Sequence, residues 1–233
     1  MVSGDEAARQ PYGGCLRYVR KVKEGKGHLC PARYSFLSTH YKMAHTAQPA
    51  DQGSGPLLER RYYIDIERPR LGPAQLMAAV QADVPSFSPG LLADFERTRG
   101  QAGGLAIDDE FHIKILGPWN GSVRVTAVGP TFFEFITLAG HPEAGRIRFQ
   151  AQPLDGRADA LRFEIYSAAR SRDGLVAFAY DTVGGGKLMQ KATWVAFCQR
   201  VAEASGGQPL GPVTVETTRH AEDGKTSQEI TYE

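Results

Sequence analysis

An α+β chain is what this sequence predicts: a run of antiparallel strands followed by one long helix. Three observations carry that expectation. From about residue 105 onward, apolar residues recur at every second position. The alternating segments are separated by NG, GP, HPEAG, PLDGR and SRDG, stretches whose Gly, Asn, Asp and Pro suit tight bends. The alternation then stops at GGGKLMQKATWVAFCQRVAEASGG, where apolar residues fall on a helical stripe.

The elements follow in order. In LLERRYYIDIE, Tyr62, Ile64 and Ile66 alternate with Tyr63, Asp65 and Glu67, the mark of a half-buried strand. GPAQLMAAVQADV predicts a short helix, with Pro73 at its first position and Leu76, Met77, Ala79 and Val80 as its apolar face. SPGLLADFERTRG predicts a second one: Ser88 as N-cap, Pro89 in the first turn, Leu91, Leu92 and Phe95 inward, and Gly100 as the stop. Six strands are expected next, seven with the first. Phe111, Ile113 and Ile115 share one face of DDEFHIKILG, and Val123, Val125 and Ala127 one face of GSVRVTAVG. TFFEFITLAG, GRIRFQAQ, ALRFEIYSAARS and GLVAFAYDTV complete the meander.

In the long helix, Leu188, Ala192, Val195, Cys198 and Ala202 form the expected stripe, with Trp194, Phe197 and Val201 alongside. The remaining VTVETTRHAEDGKTSQEITY is a polar hairpin turning at Asp223-Gly224, which extends the sheet, pairs with the N-terminal arm, or pairs with another chain. The division expected is a basic, Gly-rich arm over residues 1–56, a main domain over 57–205 and a C-terminal hairpin over 206–233.

Bulk properties exclude several classes. The chain has 233 residues, enough for a sizeable core, and a formal net charge of +1, without the basic excess expected of a nucleic-acid binder. No apolar run approaches the roughly 20 residues that span a bilayer, and MVSGDEAARQPYGG lacks the apolar centre of a signal peptide. Cys15, Cys30 and Cys198 are odd in number with no CxxC pair, which argues against a disulfide framework. A cytoplasmic location is the expectation. VGGGKL fails as a phosphate loop, because Asp181 and Leu188 stand where Gly and Ser or Thr are required. His28, Cys30, His40 and His45 match no standard zinc spacing, so neither metal nor cofactor is expected.

The order of strand, two short helices, strands and long helix over residues 58–204 resembles the helix-grip fold of the START-related and birch-pollen-allergen-like (SRPBCC) superfamily. That resemblance implies a curved sheet wrapped around the final helix, with an apolar cavity between them. TLAGHPEAG, Phe149, FEIYSAARS and the helix carrying Gln190 also resemble a domain-of-unknown-function family with a TLxGHPExG signature. Thr137, Leu138, Gly140, His141, Pro142, Glu143, Gly145, Phe149 and Gln190 match it. Arg146, where that family places an acid, and the Ala-Arg-Ser of residues 169–171 depart from it.

Two groups of candidate site residues emerge. His141 and Glu143 sit in a turn whose Gly140 and Gly145 supply backbone freedom, and they either bond unpaired backbone groups there or serve as a polar lip or an acid–base pair. Inward-facing Phe111, Ile113, Val125, Phe133, Phe135, Phe149, Phe163 and Ile165, opposite Leu188, Ala192 and Val195, either fill a core or line a ligand cavity. The second faces of two strands, Phe132, Ile136 and Leu138 and then Val176, Phe178 and Tyr180, require cover by the arm or by a second copy in a homodimer. Three functions follow in order: binding of a hydrophobic small molecule (lipid-, polyketide- or aromatic-like), a cofactor-independent cyclase/aromatase-like reaction using His141 and Glu143, and a partner-binding module with a filled core.

Overall fold

The alternation that begins in LLERRYYIDIE extends upstream as one long strand. Strand β1 runs Ser54–Glu67, with Tyr62, Ile64 and Ile66 buried on one side. The computed structural model describes residues 46–90, 93–101, 103–115, 120–173 and 185–233, with residues 115 and 185–189 described by backbone alone. After β1 come α1 (Pro73–Ala82), α2 (Val84–Phe87), β2 (Ala93–Arg99), β3 (Glu110–Ile115), β4 (Gly121–Gly129), β5 (Phe132–Thr137), β6 (Glu143–Leu154) and β7 (Arg157–Ser171). Helix α3 (Gly185–Ser205), β8 (Gln208–Pro209), β9 (Thr214–His220) and β10 (Thr226–Tyr232) close the order.

The strands form a single antiparallel sheet in the order β10-β9-β1-β7-β6-β5-β4-β3-β2, with β8 beside β1. This is the expected curved sheet against a C-terminal helix, with ten strands among the described residues rather than about seven. The C-terminal hairpin supplies two of the additions: β9 pairs along β1 from Leu57↔His220 to Tyr63↔Thr214 and so extends the sheet. The expected strand at 174–183 lies outside the described residues, as do residues 1–45 of the arm.

Another addition corrects a helix expectation. The described residues of 88–100 are not helical; the second short helix is α2, and ADFERTR is strand β2, paired with β3 from Ala93↔Ile115 to Arg99↔Glu110. Ala93 and Phe95 are buried and Asp94 and Glu96 exposed, so the segment also fits a period of two. Pairing with β3 satisfies its backbone groups and buries Phe95 against Phe111, at 6.5 Å between ring centroids. The Ser88 hydroxyl donates to the Ala93 carbonyl instead of capping a helix.

Helix α3 lies in the concave side. Its Phe197 ring packs 5.3 Å from Phe149 and 6.0 Å from Phe163, and Trp194 sits 5.6 Å from Phe149. Phe133 stacks on Phe149 at 4.6 Å, with Phe135 and Phe111 completing the aromatic layer. The helix is turned away from the stripe expected for it. Thr193, Trp194, Phe197, Cys198, Val201 and Ala202 are buried, Val195 is half-buried and Ala192 is exposed. Two large aromatics outweigh an alanine in buried area, so they set the helix rotation. The α1 residues Leu76, Met77 and Val80 are fully buried, whereas Ala79 points outward.

On the convex side, Ala47 forms a bridge to Leu138, and Leu138 is fully buried. Residues 46–52 therefore cover part of that face, as the apolar second face of β5 requires.

Candidate functional site

Beyond the aromatic layer, the in-phase concave positions change character. After Phe133 and Phe135, β5 places Thr137; after Phe163 and Ile165, β7 places Ser167 and Ala169. Ahead of Ile147 and Phe149, β6 places Glu143 and Gly145, and Arg60 precedes Tyr62 in β1. Small or polar residues replace large ones, and a cavity of about 70 Å³ opens there between sheet and helix. Its walls include Ala93, Phe95, Ile113, Ile147, Ala169 and Trp194, with His141, Glu143, Ser167 and Gln190 as polar members.

The segment between β5 and β6 is built as a braced corner. Gly140 has φ of 96°, a conformation that favours glycine. Gln48 holds the corner from outside. Its amide nitrogen donates to the carbonyls of His141 and Glu143, each at 3.0 Å, and its amide oxygen accepts from Gly140 N–H at 3.2 Å. The Thr137 hydroxyl accepts from Gly145 N–H at 3.0 Å and reaches the Gln48 carbonyl at 2.9 Å. Gly145 is not part of the turn, contrary to expectation: it lies within β6, where a Cβ would come within 2.2 Å of the Ala168 carbonyl oxygen. Close approach of β7, not turn freedom, is what requires glycine there.

His141 is buried at this corner. Its Nδ1 lies 2.9 Å from the Glu143 carbonyl oxygen and 3.0 Å from the Glu143 backbone nitrogen, so the Glu143 main chain holds that side of the ring. Burial holds the imidazole pKa below its usual value, against the opposing pull of the nearby Glu143 carboxylate. The ring rests on Gly121, where an added Cβ would lie 2.2 Å from Cδ2. Glu143 is engaged elsewhere: Oε1 accepts from the Arg60 guanidinium at 3.0 Å and Oε2 from the Gln190 amide at 2.9 Å. Burial pushes this carboxyl up, but the Arg60 charge and the two hydrogen bonds outweigh it and hold its pKa below the usual carboxylate range. The backbone of Glu143, rather than its carboxylate, orients the histidine.

Two polar atoms near the cavity have no hydrogen-bond partner, the Ser167 hydroxyl and the Trp194 indole nitrogen. Both residues line the space and both are buried.

Of the residues expected at a site, His141, Glu143, Ile113 and Phe135 meet at this cavity. Phe111, Val125, Phe133, Phe149, Phe163 and Ile165 belong to the filled core. Val195 packs at the edge of that core, Ala192 faces outward, and the Leu188 side chain lies outside the described residues. Sequence reasoning passed over Arg60, Ser167, Trp194 and Gln48. The first two were readable by parity, being polar residues in phase with Tyr62 and Ile165. Trp194 falls on the i, i+3, i+4, i+7 series Trp194, Phe197, Cys198, Val201. Gln48 had no local signal, since its contacts lie more than 90 residues away. His28, Cys30, His40 and His45 lie outside the described residues.

No family model matches the chain, and no curated protein matches it. Solved structures similar to it include norcoclaurine synthase from Thalictrum flavum, at 10% identity and TM-score 0.46, covering 79% of this chain and 96% of that one. The Zhui aromatase/cyclase from Streptomyces is similar at 14% identity and TM-score 0.44, covering 64% of this chain and 94% of the other. Ara h 8.0201 is similar at 13% identity and TM-score 0.40, covering 62% and 99%.

Proposed function

We propose that this protein binds a small, mainly apolar molecule in the cavity between the sheet and α3. The observation that carries the reading is local. A sheet packed solid with phenylalanine at one end is left open at the other by residues such as Gly145, Ser167 and Ala169. Sites that enclose drug-sized molecules measure about 300–1,000 Å³. A space of about 70 Å³ instead suits a molecule of a few heavy atoms, or the terminal group of a longer one such as a lipid or polyketide. Apolar burial would drive binding, and the Arg60–Glu143–Gln190 network would form a fixed polar wall.

Two measurements test the proposal. Xenon enters apolar cavities, so xenon pressure should shift the NMR methyl signals of Ile113, Ile147 and Ala169. Native mass spectrometry should show a retained ligand on the purified protein, lost in Ala169→Leu with the fold intact. Absence of both xenon response and retained mass would leave a filled-core partner module as the better reading.

A second reading, acid–base catalysis resembling a cyclase, is favoured by one observation: a neutral, buried imidazole on the cavity wall. Glu143 suits that role less, because both its oxygens are already engaged. Product formation from a candidate substrate, lost in His141→Ala but retained in Glu143→Gln, is the outcome this reading expects.

A further inference from the structure

Unsatisfied buried donors are rare in folded proteins, and each one calls for an explanation such as water or a ligand. Among the described residues three buried side-chain atoms have no partner, and two of them, the Ser167 hydroxyl and the Trp194 indole N–H, belong to residues on the wall of the same cavity. Leaving a buried donor unmet is destabilising, so two such atoms at one site point to something that meets them.

The two donors come from opposite layers. Ser167 lies in β7, paired with Arg60 on one side and Ile147 on the other, and Trp194 lies on α3. Several other polar groups at this end are already engaged. Thr137 holds Gly145 and Gln48, Glu143 holds Arg60 and Gln190, and His141 Nδ1 is engaged by the Glu143 main chain. What the Trp194 indole N–H lacks is an acceptor.

Resting on the reading of this cavity as a ligand site, we infer that its occupant carries a neutral hydrogen-bond acceptor, a carbonyl-type oxygen, held by the Ser167 hydroxyl and the Trp194 indole N–H. An indole nitrogen can only donate, which selects an acceptor. The Glu143 carboxylate on the same wall disfavours an anion, since a second negative charge would have to be buried beside the first. The apolar remainder, Ile113, Ile147 and Ala169, receives the hydrocarbon portion. The ligand class is therefore a small aldehyde or ketone, or a longer molecule ending in one.

The test compares acetone with 2-methylpropene, which have the same shape and differ only in C=O against C=CH2. Each is titrated into the full chain while the Trp194 indole N–H resonance is followed, assigned by its loss in Trp194→Phe. Acetone should move that resonance downfield along a saturable curve, and 2-methylpropene should saturate without doing so. Ser167→Ala and Trp194→Phe should each weaken acetone about fivefold, the worth of about one hydrogen bond, and leave 2-methylpropene within about twofold. If both probes saturate and neither substitution separates them, the acceptor assignment is overturned while the cavity reading stands. If neither probe saturates, both fall together, and water alone meets the two donors. Ser167→Ala, being the smaller change, keeps the test decisive should Trp194→Phe not fold.

Discussion

The two ends of the concave interior share strands, register and helix, and they differ in side-chain size. At one end Phe111, Phe133, Phe135, Phe149, Phe163 and Phe197 interlock at centroid distances of 4.6 to 6.0 Å. At the other, the next in-phase positions are Thr137, Gly145, Ser167 and Ala169. The first end is a stable packing unit that needs nothing else. The second cannot be filled by its own side chains, so the chain substitutes a charged wall and a braced corner. A curved sheet does not by itself make a pocket; shortening the side chains in phase along adjacent strands does.

Four experiments break or sharpen that contrast, from the largest effect down. Phe133→Asp should leave no folded protein, because it places an unpaired charge where the phenylalanine is fully buried. A soluble variant with an unchanged Tm would refute the filled-core half of the comparison. The variant Val195→Asp should be milder, since Val195 is only half-buried.

Arg60→Met comes next. It strands the Glu143 carboxylate, whose side chain is 12% exposed, and breaking such a buried pair costs about 3–5 kcal/mol. Denaturant unfolding checks this, and the double variant Arg60→Met/Glu143→Gln should recover part of the loss.

Gly121→Ala should cost about 1–3 kcal/mol through overpacking, because its methyl would meet the His141 ring. The expected signature is coupling: in His141→Ala the same substitution should cost much less. Equal cost in both backgrounds would mean that the ring does not rest on Gly121.

The smallest effect is on pH dependence. The folded-state pKa of His141 is depressed below its unfolded value of about 6.5. The neutral ring therefore contributes stability that is present above about pH 6.5 and lost as pH falls through the folded pKa. Glu143 is depressed too, so its contribution is present above about pH 4.5 and lost below it. Tm should fall between pH 7 and pH 5 more steeply in the wild type than in His141→Gln. Parallel profiles would show that the ring is not held neutral by burial.

Much of this architecture was legible because each relevant signal was local. Alternation in residues 57–67, 121–129 and 157–171 marks strands whatever they pair with, and the turn residues between them enforce antiparallel neighbours. The same parity rule placed Phe133, Phe135, Phe149 and Phe163 inward. It applied equally to Arg60 and Ser167, whose polarity hid them from a search for apolar faces. ADFERTR misled because Ser, Pro and a terminal Gly imitate helix boundaries, while the partner strand that made it β2 lies more than ten residues ahead. The expected helix stripe was centred about one residue position away from the buried arc, sharing Cys198 and Ala202 with it, since a wide apolar arc fits several rotations until a neighbour selects one.

By itself the sequence determined most element types, ADFERTR excepted, together with strand polarity and which side of each recognised strand faces inward, since these depend on period and turn chemistry within a few residues. Only the tertiary structure decided where the interior stays open, that Gln48 braces the His141 corner, and that Glu143 is committed to Arg60 and Gln190. Those outcomes depend on contacts between residues 47 to 95 positions apart and on volumes summed over several strands, quantities that no local window contains.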